Sequence, residues 1–196
     1  MRKEEKRIKD LAINIDMVNG FVKEGTLAAP SIMRVVKRQQ EILEEYKNAE
    51  DKGIIFIRDE HTKDAVEFKT FPEHCLKGSK ESELIDELKE YYKGAYDFGK
   101  NSTNFVFADG FQEQINKFTN LETVTLMGCL SEVCVKNGGI TLRNYFDQND
   151  RNVDIYVAAD AIDTYDVPGH NAEEVTERAL ADMQGNGIKI LERRIK

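Results

Sequence analysis

Short apolar runs recur along the chain, each closed by a polar residue or a glycine, and between them lie stretches whose apolar positions return every three or four residues. The first pattern predicts buried strands and the second amphipathic helices. Leu11-Ala12-Ile13-Asn14-Ile15 is a strand that stops at Asp16, and residues 17–29, with two glycines, follow as a loop. Pro30 opens a helix that carries Ile32, Val35, Val36, Ile42 and Leu43 and runs to about residue 48. Gly53-Ile54-Ile55-Phe56-Ile57-Arg58 is a second strand; it ends on Asp59 and leads into a polar loop reaching about residue 78. Leu84, Ile85, Leu88, Tyr91 and Tyr92 mark the apolar side of a charged helix that finishes near Gly94. Residues 104–108 read as a short strand, 111–118 as a short helix and 124–127 as the third main strand. Ser131 is placed as the N-cap of the next helix, whose Gly138-Gly139 pair is costly in a helix interior and predicts close approach to a neighbouring strand. Residues 153–157 form a strand that leads to Asp160-Ala161, residues 171–183 the last helix, and 187–191 a closing apolar run.

Strands alternating with helices of this length predict an α/β fold: one three-layer domain over residues 1–196, a mostly parallel sheet with helices on both faces. The length of 196 residues suits one full core. A net charge of -8 argues against nucleic-acid or acidic-membrane partners, which want clustered Lys and Arg, and leaves a small neutral or cationic ligand as the natural partner. No apolar run approaches the roughly 18 residues of a membrane span, and Met1-Arg2-Lys3-Glu4-Glu5-Lys6-Arg7 lacks a signal peptide's apolar core. Three cysteines, Cys75, Cys129 and Cys134, are an odd number at no zinc-finger spacing, which fits a reducing cytoplasm. A free sheet edge and apolar helix faces make a homo-oligomer plausible.

Ligand sites in parallel sheets lie beyond the strands' carboxyl ends. Asp16, Asp59 and Cys134 all follow such ends, so three reactive side chains are expected on one rim. Cys134, three residues after Ser131, falls in the first turn of its helix, where free N–H groups and the helix dipole favour a thiolate. It reads as a nucleophile or, as most free cysteines do, as a small buried hydrophobe. Asp59-Glu60-His61 is followed by Phe71-Pro72-Glu73-His74-Cys75, a loop with two of the chain's three histidines. In extended geometry Asp59 and His61 point the same way, and His74 completes a carboxylate and two imidazoles that suit a divalent ion with open positions. The alternative is a solvated polar loop.

Taken in order, these motifs resemble the isochorismatase-like cysteine hydrolases and, within them, the nicotinamidases, over about residues 11–190. Asp16-Met17-Val18-Asn19-Gly20-Phe21 is similar to the family's opening Asp-x-Gln-x-Asp-Phe, with Val18 and Gly20 departing from it. Gly128-Cys129-Leu130-Ser131-Glu132-Val133-Cys134-Val135 is similar to its nucleophile turn, Asp160-Ala161 to the Asp-Ala that follows, and Asp59-x-His61 with Phe71-Pro72-Glu73-His74-Cys75 to the nicotinamidase element.

The resemblance implies a catalytic triad of Asp16, Lys100 and Cys134, with Lys93 as the fallback lysine and Lys100 holding Asp16 ionised. It also implies an oxyanion hole from the Leu130 and Cys134 amides, beside a cis peptide at Cys129-Leu130. It implies one divalent metal, zinc first, with manganese or iron possible, on Asp59, His61 and His74, and Glu67 as a fourth ligand. Phe21 and Phe71 would hold a pyridine ring, and the activity implied is hydrolysis of nicotinamide to nicotinate and ammonia in NAD salvage. Two other readings stay open: a hydrolase of the same fold acting on isochorismate's vinyl ether or an N-carbamoyl amide, and a non-catalytic binding module.

Overall fold

In the computed structural model, which describes residues 7–191, the apolar runs become six strands: β1 (Asp10–Ile15), β2 (Lys52–Asp59), β3 (Tyr96–Lys100), β4 (Thr123–Cys129), β5 (Asp154–Asp163) and β6 (Lys189–Leu191). Residues 1–6, nearly all of the charged lead-in read above, lie outside the described residues. The sheet order is β3-β2-β1-β4-β5-β6 and every pairing is parallel. Among the described residues no helix is long and apolar enough to cross a membrane.

Strand periodicity of two makes the layers. From β1, Leu11, Ile13 and Ile15 enter one core with Phe111, Leu142, Phe146 and Met183, while Ala12 enters the opposite core with Phe21, Leu43, Tyr46 and Phe56. Helices α1 (Asn19–Val22) and α2 (Val36–Lys47) cover the second face; α3 (Phe111–Lys117), α4 (Lys136–Gln148) and α5 (Ala172–Gly185) cover the first. Asn171 caps α5 by accepting from the Glu174 amide at 2.9 Å. Gly139 packs on β4, where a Cβ would stand 2.9 Å from Leu126 Cδ1, and a Cβ on Gly138 would overlap the Phe105 ring. The glycine pair therefore serves close helix approach.

Four expectations change. Pro30 opens a 3-10 turn, Pro30–Val35, and the α-helix begins only at Val36. The charged stretch after residue 78 holds two 3-10 turns, Lys80–Ser82 and Asp86–Tyr91, in place of a helix. Its apolar spacing reflects true burial of Leu84, Ile85, Leu88 and Tyr91, but the main chain is used as a strap. Val18 bridges Leu84, the Asn19 amide donates to the Glu83 carbonyl at 2.9 Å and the Ile85 amide to the Met17 carbonyl at 3.0 Å. Residues 104–108 carry a 3-10 turn, Phe105–Phe107, capped by Asn104, and the strand in this region is β3. Finally, Ser131 caps nothing: it starts a π-turn, Ser131–Val135, and its Oγ accepts from Thr176 Oγ1 at 3.0 Å.

Candidate active site

The carboxyl ends of four neighbouring strands place the site. Asp16 follows β1, Asp59 ends β2, Lys100 ends β3 and Cys134 lies in the π-turn after β4. The register pairs Asp59 with Lys100, so the lysine enters the site from the strand beside β2. Gly128 lets β4 meet β1 there: its φ is +126° and a Cβ would overlap the Ile15 main chain. Lys100 Nζ lies 2.9 Å from Asp16 Oδ2 and 2.6 Å from Asp59 Oδ1, an ammonium between two carboxylates, all essentially without solvent exposure. Lys93, by contrast, is exposed. The Cys134 thiol and the Asp16 carboxylate shift each other's acidity, and both Asp16 carboxylate oxygens are buried without a hydrogen-bond partner. Cys129 Sγ donates to the Asp16 carbonyl at 3.1 Å, and Asp16 itself adopts φ 55°.

Burial pushes the Asp16 carboxyl up to about 6 against the pull of Lys100, with the nearby Asp59 charge adding to the rise. The lysine therefore moderates Asp16 without restoring an ordinary carboxylate. At Asp59 burial acts in the same upward sense, but the Lys100 charge and the close imidazoles of His61 and His74 win and hold it well below the usual range. Burial likewise opposes the Lys100 charge, and the two carboxylates overcome it, keeping the ammonium protonated. Burial raises the Cys134 thiol well above its ordinary value; Lys100 opposes this, and the Asp16 and Asp59 charges reinforce it. Burial beside two carboxylates thus favours the thiol, where the sequence pointed to a thiolate.

On the far side of Asp59, one ligand atom each from Asp59, His61, Glu67 and His74 lie within 4.8 Å of one another. His74 Nε2 and His61 Nε2 approach the same oxygen, Asp59 Oδ2, at 3.0 and 3.1 Å, and Glu67 Oε1 is 3.7 Å from His61 Nε2. His61 Nδ1 faces Asn101 Oδ1 at 3.1 Å, an oxygen that also accepts from the Thr62 amide, and His74 Nδ1 faces the Pro72 carbonyl at 2.7 Å. With Nδ1 donating outward in both rings, both Nε2 lone pairs point inward, and His61 Nε2 is buried without a hydrogen-bond partner. Two inward imidazoles and two carboxylates fit a divalent cation of the zinc, manganese or iron kind.

A cavity of about 510 Å³ opens over these groups, lined by Phe21, Phe71, Asp59, Glu67, His74, Leu130 and Cys134 and closed by residues 26–31 and 165–167. Phe21 packs on the His74 ring at 5.5 Å. Phe68, not singled out in the sequence, sets its edge against both metal-side imidazoles at 5.1 and 5.6 Å; Asn101, which orients His61, was also missed. Only Asn101's place directly after Lys100 signalled it. The Cys129–Leu130 peptide is cis, as the resemblance implies. The Leu130 carbonyl takes the amides of Val133 and Val135 at 3.2 Å each, passing over that of Cys134. Gly20, which departs from the family's opening motif, is required by packing: a Cβ there would stand 2.5 Å from Cys75 Sγ.

The isochorismatase domain family model matches residues 10–192. Nicotinamidase 1 of Arabidopsis thaliana is 24% identical over 183 residues, covering 82% of this chain and 72% of that protein. N-carbamoylsarcosine amidase from Thermoplasma acidophilum superposes with a TM-score of 0.75 at 23% identity, over 96% of this chain and 98% of that one. Pyrazinamidase of Pyrococcus horikoshii, crystallised in complex with zinc, gives a TM-score of 0.73 at 23% identity over 94% and 99%. At these identities the two structures share the fold and do not choose a substrate.

Proposed function

We propose, from the premise that this chain belongs to the isochorismatase domain family, that it is a metal-dependent cysteine amidohydrolase converting nicotinamide and water to nicotinate and ammonia. The observation that carries the proposal is the continuity of the site: the Cys134 thiol, Asp16, Lys100, Asp59 and the inward-facing imidazoles of His61 and His74 form one connected group under one cavity.

Asp16 takes the Cys134 proton as the sulfur attacks the carboxamide carbon, and the Leu130 and Cys134 amides receive the developing oxyanion. Protonated Asp16 then returns its proton to the leaving nitrogen as the C–N bond breaks, giving ammonia and a thioester on Cys134. Water adds to the thioester carbon, Asp16 accepts its proton, and the carboxylic acid leaves as the thiol is restored. Lys100 keeps its charge throughout and holds Asp16 and Asp59 in register. Asp59, His61, His74 and Glu67 would hold the cation, which when bound supplies a Lewis acid for the substrate's ring nitrogen. Phe21 and Phe71 would flank the ring. Among the residues lining the cavity none is Arg or Lys, and the charged ones include Asp59, Glu67 and Asp166. That disfavours isochorismate and N-carbamoyl amino acids, both of which carry carboxylates, and favours a neutral aromatic amide. The chain is taken to act as one catalytic domain in the cytoplasm, as a homo-oligomer, within NAD salvage.

Protein purified without chelator is expected to carry about one equivalent of zinc, manganese or iron, to lose ammonia release on chelation and to regain it on metal addition. Less than about one-tenth equivalent, with activity intact, would sink the metal-dependent form of the proposal. Because the base works ionised and Asp16 titrates at about 6, kcat/KM is expected to fall about tenfold per pH unit below that value. A flat profile between pH 5 and 7, where the Asp16 value of about 6 requires a bend, would remove Asp16 from the role.

A further inference from the structure

After β5 the chain runs through a loop, residues 164–170, whose Asp166, Val167, Pro168 and Gly169 are exposed, yet whose Tyr165, Asp166 and Val167 form a wall of the cavity above Cys134. So exposed a segment needs a tether to hold a wall in place. The tether is Glu132, in the π-turn between Leu130 and Cys134. Its Oε1 lies 3.1 Å from His170 Nε2 and accepts from Thr164 Oγ1 at 3.0 Å, so one carboxylate oxygen holds both ends of the loop. His170 is held from its other side as well: Nδ1 is 2.9 Å from the Tyr165 carbonyl, and the ring stacks on Tyr165 at 3.8 Å and 13°. Val167 and His170 exchange main-chain hydrogen bonds of 3.1 and 2.8 Å across a turn in which Gly169 adopts φ +88°. Glu132 itself is not among the cavity's lining residues.

We propose that Glu132 and His170 are positioning residues that clamp this loop onto the turn carrying Cys134 and so set how bulky a molecule reaches the thiol. The charge-assisted contact ties a wall residue's own backbone, through His170, to the element that presents the sulfur. Loss of the contact frees Tyr165 and Val167 to swing outward, admitting larger groups, while the floor of the site stays in place. The inference rests on Cys134 as the reactive thiol of the proposed function but not on which amide is hydrolysed.

The test uses the full chain and the alkylation of Cys134 by two reagents, iodoacetamide and the bulkier N-phenylmaleimide, resolved by peptide mass spectrometry. Cys75 and Cys129, both fully buried, serve as internal controls. In His170→Ala the maleimide-to-iodoacetamide rate ratio at Cys134 is expected to rise about tenfold, the scale of one lost charge-assisted hydrogen bond. His170→Gln, whose amide can still donate to Glu132, is expected to stay within about twofold of wild type. An unchanged ratio in His170→Ala, a His170→Gln protein as open as the alanine variant, or an equal rise at all the cysteines would overturn the proposal. Should His170→Ala fail to fold, Glu132→Gln decides: a rise of about threefold supports the clamp, and no change overturns it. Turnover does not enter the readout, so a protein inactive on nicotinamide still answers the question.

Discussion

Replacing Cys134 with alanine is expected to lower kcat/KM for amide hydrolysis by at least about 10⁴-fold, because no other nucleophile reaches the same carbon. Folding stability should change little by comparison, on the order of 1 kcal/mol, since one buried sulfur is removed and its neighbours can relax. Serine is not expected to rescue. A hydroxyl is far less acidic than a thiol, and the Asp16 base, at about 6, is too weak to share its proton. Ammonia release beside thermal unfolding separates the two effects. Activity within about tenfold of wild type would remove the thioester route.

Replacing Lys100 with methionine is expected to cost about 3–5 kcal/mol of stability, the scale of a buried ion pair deprived of one partner. Lys100 is 1% exposed and is the cation within 3 Å of both Asp16 and Asp59, so its loss leaves two carboxylates facing each other out of water. The opposition that Lys100 offers to burial at Asp16 also disappears, so the carboxyl rises further and the acid limb of the rate profile moves upward. Arginine should not substitute, because a planar guanidinium cannot place one compact charge between the two oxygens. A cation on the metal-side residues partly replaces the lost charge at Asp59, so the deficit in urea unfolding should be larger for chelated than for metal-loaded protein. A variant within about 1 kcal/mol of wild type in both forms would contradict this view of the charge cluster.

The apolar runs of β1, β2, β4 and β5 were legible because central parallel strands are buried on both faces, and the first two runs close on a buried acid at the strand's carboxyl end, Asp16 and Asp59. The two-residue period of an extended chain brought Asp59 and His61 together in the sequence as in the structure. Edge strand β3 was illegible for the opposite reason: Tyr96-Asp97-Phe98-Gly99 is only half-buried ahead of the buried Lys100, carries a glycine and has no apolar run to announce it. Lys100 therefore had a role by resemblance but no visible route to the site until the register paired it with Asp59. The segment around Leu84 and Leu88 failed because burial spaced like a helix does not require helical main chain when the backbone bonds to Met17 and Asn19. The acidity of Cys134 could not be read locally at all. It is governed by desolvation and by charges on three other strands.

The most direct measurement is ammonia and acid release by metal-loaded protein from nicotinamide, run beside N-carbamoylsarcosine and isochorismate. Nicotinate and ammonia should form from nicotinamide in equal amounts, cease on chelation and in Cys134→Ala, and the two carboxylate-bearing compounds should remain untouched. Turnover of either of those with none of nicotinamide would contradict the assignment of this site to a neutral aromatic amide.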